Sequence, residues 1–144
     1  MCVAHNNQFS DIAHTIMDRD FEVSMAGLAD ANKAIDDWAG AVAVPADVAG
    51  RLHVVVDEVC ANLLRHDSTI AANGRFSVAL RQVPEGIRVR ITDSGQPFDP
   101  IAATVRNDDL PGGNGLLLIR DLASDLKYER IQGQNRLEFT IISS

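Results

Sequence analysis

Cysteine is scarce in this sequence: Cys2 and Cys60 are the two thiols among 144 residues. One sits in a polar N-terminal segment and the other in an apolar helical pattern, which excludes a disulfide framework as the organising principle. No Cys/His spacing of a metal site occurs. Positive charge is also short, with 13 Lys and Arg against 20 Asp and Glu, a net charge of −7 and a pI near 4.9. A general nucleic-acid surface needs a basic patch that releases counterions, so no direct nucleic-acid partner is expected; a local site for a phosphorylated ligand is still allowed. Long apolar runs are missing. The N-terminus lacks the run of a signal peptide and nothing resembles a membrane span, so the expectation is a cytoplasmic protein with no membrane partner. Internal repeats and low-complexity segments are absent.

What is present suits one globular domain. The length is that of a single domain and the hydrophobic fraction of 46% supplies a core. Residues 1–19 are polar and mixed, and are read as a tail or short helix ahead of a domain over 20–144. Phe21, Val23 and Met25 alternate with polar residues and predict a first strand. Leu28, Ala31, Ile35, Trp38 and Val42 recur at helical spacing, predicting a helix over 27–41 that ends near Gly40. Pro45 suits the first turn of a second helix, which Val48, Leu52, Val55, Val59 and Leu63 carry to about 66. On this helix Arg51, Glu58, Asn62 and Arg65 fall in a polar stripe bordering the apolar face.

Two alternating runs flank the turn signal Pro84-Glu85-Gly86 and predict an antiparallel hairpin over 75–93, one face apolar and the other carrying arginines. Residues 94–114 show little regular pattern, as expected for a functional loop or lid. A helix over 115–124 and two strands near 126–131 and 136–142 follow, the strands joined through Gln132-Gly133-Gln134-Asn135. Antiparallel strands with helices that must cover one face give an α+β two-layer sandwich.

Three groups of residues can carry chemistry. Asp93, at a strand end before Ser94-Gly95, can accept a hydrogen bond from an exocyclic amine such as adenine's, with Gly95 leaving room for the base; Asp-x-Gly is equally a strand-ending turn. Gly112-Gly113-Asn114-Gly115 opens a helical pattern, and a helix start attracts phosphate through its unpaired N–H groups; a lid hinge has the same composition. It is neither a Walker A loop nor a dinucleotide fingerprint. Glu58 and Asn62 lie at i and i+4: the Asn oxygen suits Mg²⁺ and the Glu suits a general base, and the pair also fits a surface stripe with Arg51 and Arg65 as ionic partners.

Together these residues resemble one family. Glu58-Val59-Cys60-Ala61-Asn62 through His66 looks like the N box of the GHKL ATPases, the group of gyrase, Hsp90, sensor histidine kinases and MutL. Asp93-Ser94-Gly95-Gln96-Pro97-Phe98 looks like the G1 box, and Gly112-Gly113-Asn114-Gly115-Leu116-Leu117 through Arg120 like the G2 box. The small size, short lid and ending Asp125 to Arg130 are most similar to anti-sigma factor serine kinases of the RsbW and SpoIIAB type. The resemblance covers about residues 20–142 and implies the Bergerat, histidine kinase-like ATPase fold.

It also implies ATP and Mg²⁺ as cofactors, with Asn62 holding the metal and Glu58 accepting the proton of a target serine or threonine. Asp93 would bind the adenine amine over Gly95, and Gly113 and Gly115 would let the helix start wrap the phosphates. Arg65, Phe98, Asn114 and Leu116 lie inside the boxes and complete the nucleotide-binding set. Family members phosphorylate a STAS-type anti-anti-sigma protein, often bind a sigma factor, and many are homodimers. Where many members carry one more glycine, this chain has Leu117, which reads as subgroup variation. The phosphoacceptor segment of a sensor kinase is missing. A protein kinase that also acts as a partner switch is therefore expected; the alternative is a module that holds nucleotide without turnover and sequesters a partner.

Overall fold

A computed structural model describes residues 16–66, 74–99, 101–102 and 113–143. Within them the chain runs β1 (Ile16–Glu22), α1 (Met25–Ala41), α2 (Ala46–His66), β2 (Arg75–Val83), β3 (Gly86–Asp93), α3 (Gly113–Leu122), β4 (Ser124–Ile131) and β5 (Gln134–Ile142). The five strands form one antiparallel sheet in the order β1-β2-β3-β5-β4. Alternation places Phe76, Val78 and Leu80 of β2, Ile87, Val89 and Ile91 of β3, and Leu137, Phe139 and Ile141 of β5 in a single core with the helices. This is the expected α+β sandwich.

The first strand differs from its sequence reading. β1 begins at Ile16, so residues 16–19 lie in the sheet rather than in the polar tail; residues 1–15 lie outside the described residues. Met25 does not continue the strand. It opens α1 and is 73% exposed, because Ser24 caps the helix by accepting from Gly27 N–H at 2.9 Å. Charged Asp18, Arg19 and Asp20 masked the strand pattern, and such charges suit a sheet edge. Gly27 is required by proximity: a Cβ there would stand 1.7 Å from the Glu22 carbonyl oxygen.

α1 buries Ala31, Ala34, Ile35, Trp38 and Ala39. It ends at Ala41, as expected, one residue past Gly40. Val44 N–H donates to Ala39 O at 2.9 Å and Ala43 N–H to Gly40 O at 3.3 Å, with Ala43 at φ 58°. An alanine thus occupies the left-handed position that glycine usually takes. α2 starts directly after Pro45, packs on α1 and α3, and buries Val48, Leu52, Val55, Val56, Val59 and Cys60. A polar chain pins α1 to α2: His53 Nδ1 meets Asn32 Oδ1 and His53 Nε2 meets Asp36 Oδ1, each at 2.7 Å, while Asn32 Nδ2 donates to Asp57 Oδ1 at 2.8 Å.

The open face of the sheet carries the arginines, as expected. Arg90 Nε and Arg88 Nη2 reach Glu138 at 3.0 and 3.2 Å. Burial works to raise the Glu138 carboxyl, but its hydrogen bonds to Arg90 and Arg88 outweigh that and hold it below its ordinary range. The last hairpin turns more tightly than the four residues expected. Gln132 and Gly133, at φ 51° and 77°, make a two-residue turn of the primed type. β5 therefore begins at Gln134, and α3 runs two residues earlier than its sequence pattern, over Gly113–Leu122.

Relieving the left-handed alanine tests this account of the α1 terminus. Ala43→Gly is expected to stabilise the protein by about 0.5–1 kcal/mol, less any gain in unfolded-chain freedom. Urea denaturation measures it, and a loss of stability would contradict the cap.

Candidate functional site

β3 ends on a buried carboxylate. Asp93 is 7% exposed, and its Oδ1 accepts from Gly95 N–H at 2.9 Å, the local turn that the Asp-x-Gly sequence favours. The same oxygen accepts from Asn135 Nδ2 at 3.0 Å. Asn135 stands opposite Asp93 in the β3–β5 register and is itself buried. Its amide is fully engaged. Nδ2 also donates to Gln96 O at 2.8 Å, while Oδ1 accepts from Phe98 N–H at 3.3 Å and from the Tyr128 hydroxyl. Arg130 Nη1 donates to Gly95 O at 2.6 Å. Phe98 is half-buried against the core, so the segment from Gly95 to Phe98 is fastened at several points.

α2 supplies the second part. Asn62 is buried and Glu58 half-buried, one turn apart as the sequence predicts. Arg51 pairs with Asp47 at 3.7 Å, so it does not serve Glu58. Cys60 lies between them. Burial pushes its thiol up to about 12, and the negative charges of Asp57 and Asp93 add to that effect. α3 supplies the third part and packs on α2. Its first turn holds Gly113, Asn114, Gly115 and Leu116, where backbone N–H groups have no partner within a helix. The side chains of 113–117 and of Arg65 lie outside the described residues, as do 103–112 of the expected lid.

The arrangement offers a fixed acceptor for an amine, a hard oxygen from Asn62 and a helix start suited to phosphate. Among the described residues no cluster of three or more His, Cys, Asp or Glu could cage a metal. A single amide oxygen fits Mg²⁺, which keeps waters and phosphate oxygens as its other ligands.

Sequence reasoning missed Asn135, Tyr128 and Arg130 as site residues. The signal for Asn135 was available: it is in phase with Leu137, Phe139 and Ile141, so period two puts it on the core face. A polar residue there requires a polar partner.

Comparison with known proteins gives the family and the fold. The model of the histidine kinase-like ATPase domain matches residues 21–141. The serine/threonine-protein kinase BtrW of Bordetella bronchiseptica is 32% identical over 95 residues, which cover 62% of this chain and 67% of the relative. A solved structure of RsbU and RsbW domains from Mycobacterium tuberculosis superposes with a TM-score of 0.65 at 13% identity, over 88% of this chain. The chain spans about a third, 32%, of that structure's length, and the likeness there is one of fold.

The high Cys60 value makes stability fall with alkali. The folded thiol ionises near 12 against an ordinary 9.0, so its contribution is complete below the unfolded value and is lost as pH rises towards the folded one. Between pH 8 and pH 10 the advantage of wild type over Cys60→Ala in urea denaturation is expected to shrink by roughly 1 kcal/mol. An unchanged difference would contradict the burial of an un-ionised thiol beside Asp57 and Asp93.

Proposed function

The chain belongs to the histidine kinase-like ATPase domain family, and from that premise we propose that it is an ATP-binding serine/threonine-protein kinase of the anti-sigma factor type. Its target is a STAS-domain anti-anti-sigma protein, with a sigma factor as the second partner, and it works as a homodimer in the cytoplasm. The observation that carries the reading is Asp93, a buried carboxylate fastened at the end of β3 by Gly95 N–H and Asn135 Nδ2. The resemblance to the Bordetella serine/threonine-protein kinase supports the reaction class. No helix among the described residues is long and apolar enough to cross a membrane.

In this reading Asp93 accepts the exocyclic amine of adenine, and Gly95 and Phe98 border the base. Asn62 and Arg65 are assigned to the phosphates, together with Gly113, Asn114, Gly115 and Leu116 at the start of α3. Asn62 would be the protein ligand of a magnesium ion, which would neutralise phosphate charge there. Glu58 accepts the proton of the target hydroxyl as that oxygen turns towards the terminal phosphate. The residues do little covalent chemistry; they position and neutralise.

A phosphotransfer assay with the cognate STAS protein tests the proposal. Glu58→Ala is expected to lower transfer by about 100-fold to 10,000-fold with ATP affinity retained. Unchanged transfer would remove Glu58 from the role of base. ATP binding by wild type with no phosphoprotein product would instead favour a module that sequesters its partner without turnover.

A further inference from the structure

The β4–β5 hairpin holds the groups that fix Asp93. We propose that Asn135 is a positioning residue for base recognition, held in place with the help of Tyr128, and that this pair tunes the preference for adenine over guanine. The proposal rests on the nucleotide-binding reading above.

The Asn135 amide has four hydrogen-bond partners. Two of its neighbours accept only, the Asp93 carboxylate and the Gln96 carbonyl, and both face Nδ2. Phe98 N–H donates only and faces Oδ1. The Tyr128 hydroxyl also donates to Oδ1. One orientation of the amide satisfies all four partners. The flipped orientation sets an amide oxygen against a carboxylate and a carbonyl, and an NH₂ against a backbone N–H. The Asp93 carboxylate, the Gln96 carbonyl and the Phe98 N–H therefore decide which way Asn135 points, the Tyr128 hydroxyl adds a donor to that orientation, and Asn135 fixes where the Asp93 oxygen sits.

The consequence is chemical selectivity. With Oδ1 held by Gly95 N–H and Asn135 Nδ2, the carboxylate cannot swing about its own axis to suit another base. It accepts and does not donate, so it complements the 6-amino group of adenine and opposes the 6-oxo group of guanine. The same amide also fixes the segment on which the base would rest, through Gln96 O and Phe98 N–H. Arg130 adds a hold on Gly95 O at 2.6 Å. Tyr128, Arg130 and Asn135 all belong to one hairpin, with Arg130 directly opposite Asn135 in the β4–β5 register. The tight turn at Gln132-Gly133 sets that register. Base recognition is thus carried by an edge hairpin as well as by the strand that ends on Asp93.

Calorimetry with Mg-ATP and Mg-GTP on wild type, Asn135→Ala and Tyr128→Phe tests this. A merely structural role would weaken both nucleotides alike. The expected result is a selective loss of ATP affinity in Asn135→Ala of roughly tenfold to a hundredfold, the scale of a hydrogen bond to a charged group. GTP binding should hold or improve, so the ratio of the two constants falls. Tyr128→Phe, which removes one hydroxyl and serves if Asn135→Ala does not fold, should lower the same ratio by a smaller factor. An unchanged ratio in a folded Asn135→Ala, or in Tyr128→Phe where the alanine variant does not fold, overturns the proposal and leaves the nucleotide reading intact. No ATP binding by wild type overturns both.

Discussion

A carboxylate removed from water at the end of a central strand is costly unless hydrogen bonds hold its charged form. In this protein that constraint falls on Asp93, and the surrounding structure answers it locally and at long range. The local answer is the Gly95 N–H, two residues on. The distant answer is Asn135, 42 residues away in sequence and directly across the β3–β5 ladder. Because the second donor comes from another strand, the geometry of Asp93 depends on the register of the sheet. A slip of one residue would turn Asn135 to the opposite face and leave a buried charge short of a donor.

The sheet separates two kinds of electrostatics. Its covered face is apolar until it reaches Asp93 and Asn135, where burial makes each polar group depend on its partner. Its open face carries Arg88, Arg90 and Glu138, ion pairs of the sort worth about 0–1 kcal/mol each. The first set specifies geometry and the second supplies solubility and modest stability. Cys60 reports the first set from α2, since two nearby carboxylates and burial together keep its thiol un-ionised.

Much of this was legible in sequence, for physical reasons that differ between elements. The apolar residues of α1 and α2 repeat at 3.6-residue spacing over several turns, a pattern that few alternatives produce. Glu58 and Asn62 could be set on one stripe because i and i+4 positions adjoin. β1 was harder: Asp18, Arg19 and Asp20 protect a sheet edge and hide its alternation. Met25 extended that alternation by one false step, and only the cap at Ser24 shows where the chain turns into helix. Asn135 was obscured by its neighbours. Gln132-Gly133-Gln134-Asn135 is turn-forming throughout, and the left-handed backbone at Gln132 and Gly133 decides which two residues turn. The amide network that follows depends on partners brought together from three segments, which no local pattern encodes.

The proposed function requires that Asp93, Asn62 and the start of α3 hold a single nucleotide together. A crystal structure with magnesium and a non-hydrolysable ATP analogue tests it most directly. The account predicts the adenine amine within hydrogen-bonding distance of Asp93, the metal against Asn62 and the phosphates at the first turn of α3. A nucleotide bound elsewhere, or one whose base lies away from Asp93, would contradict it.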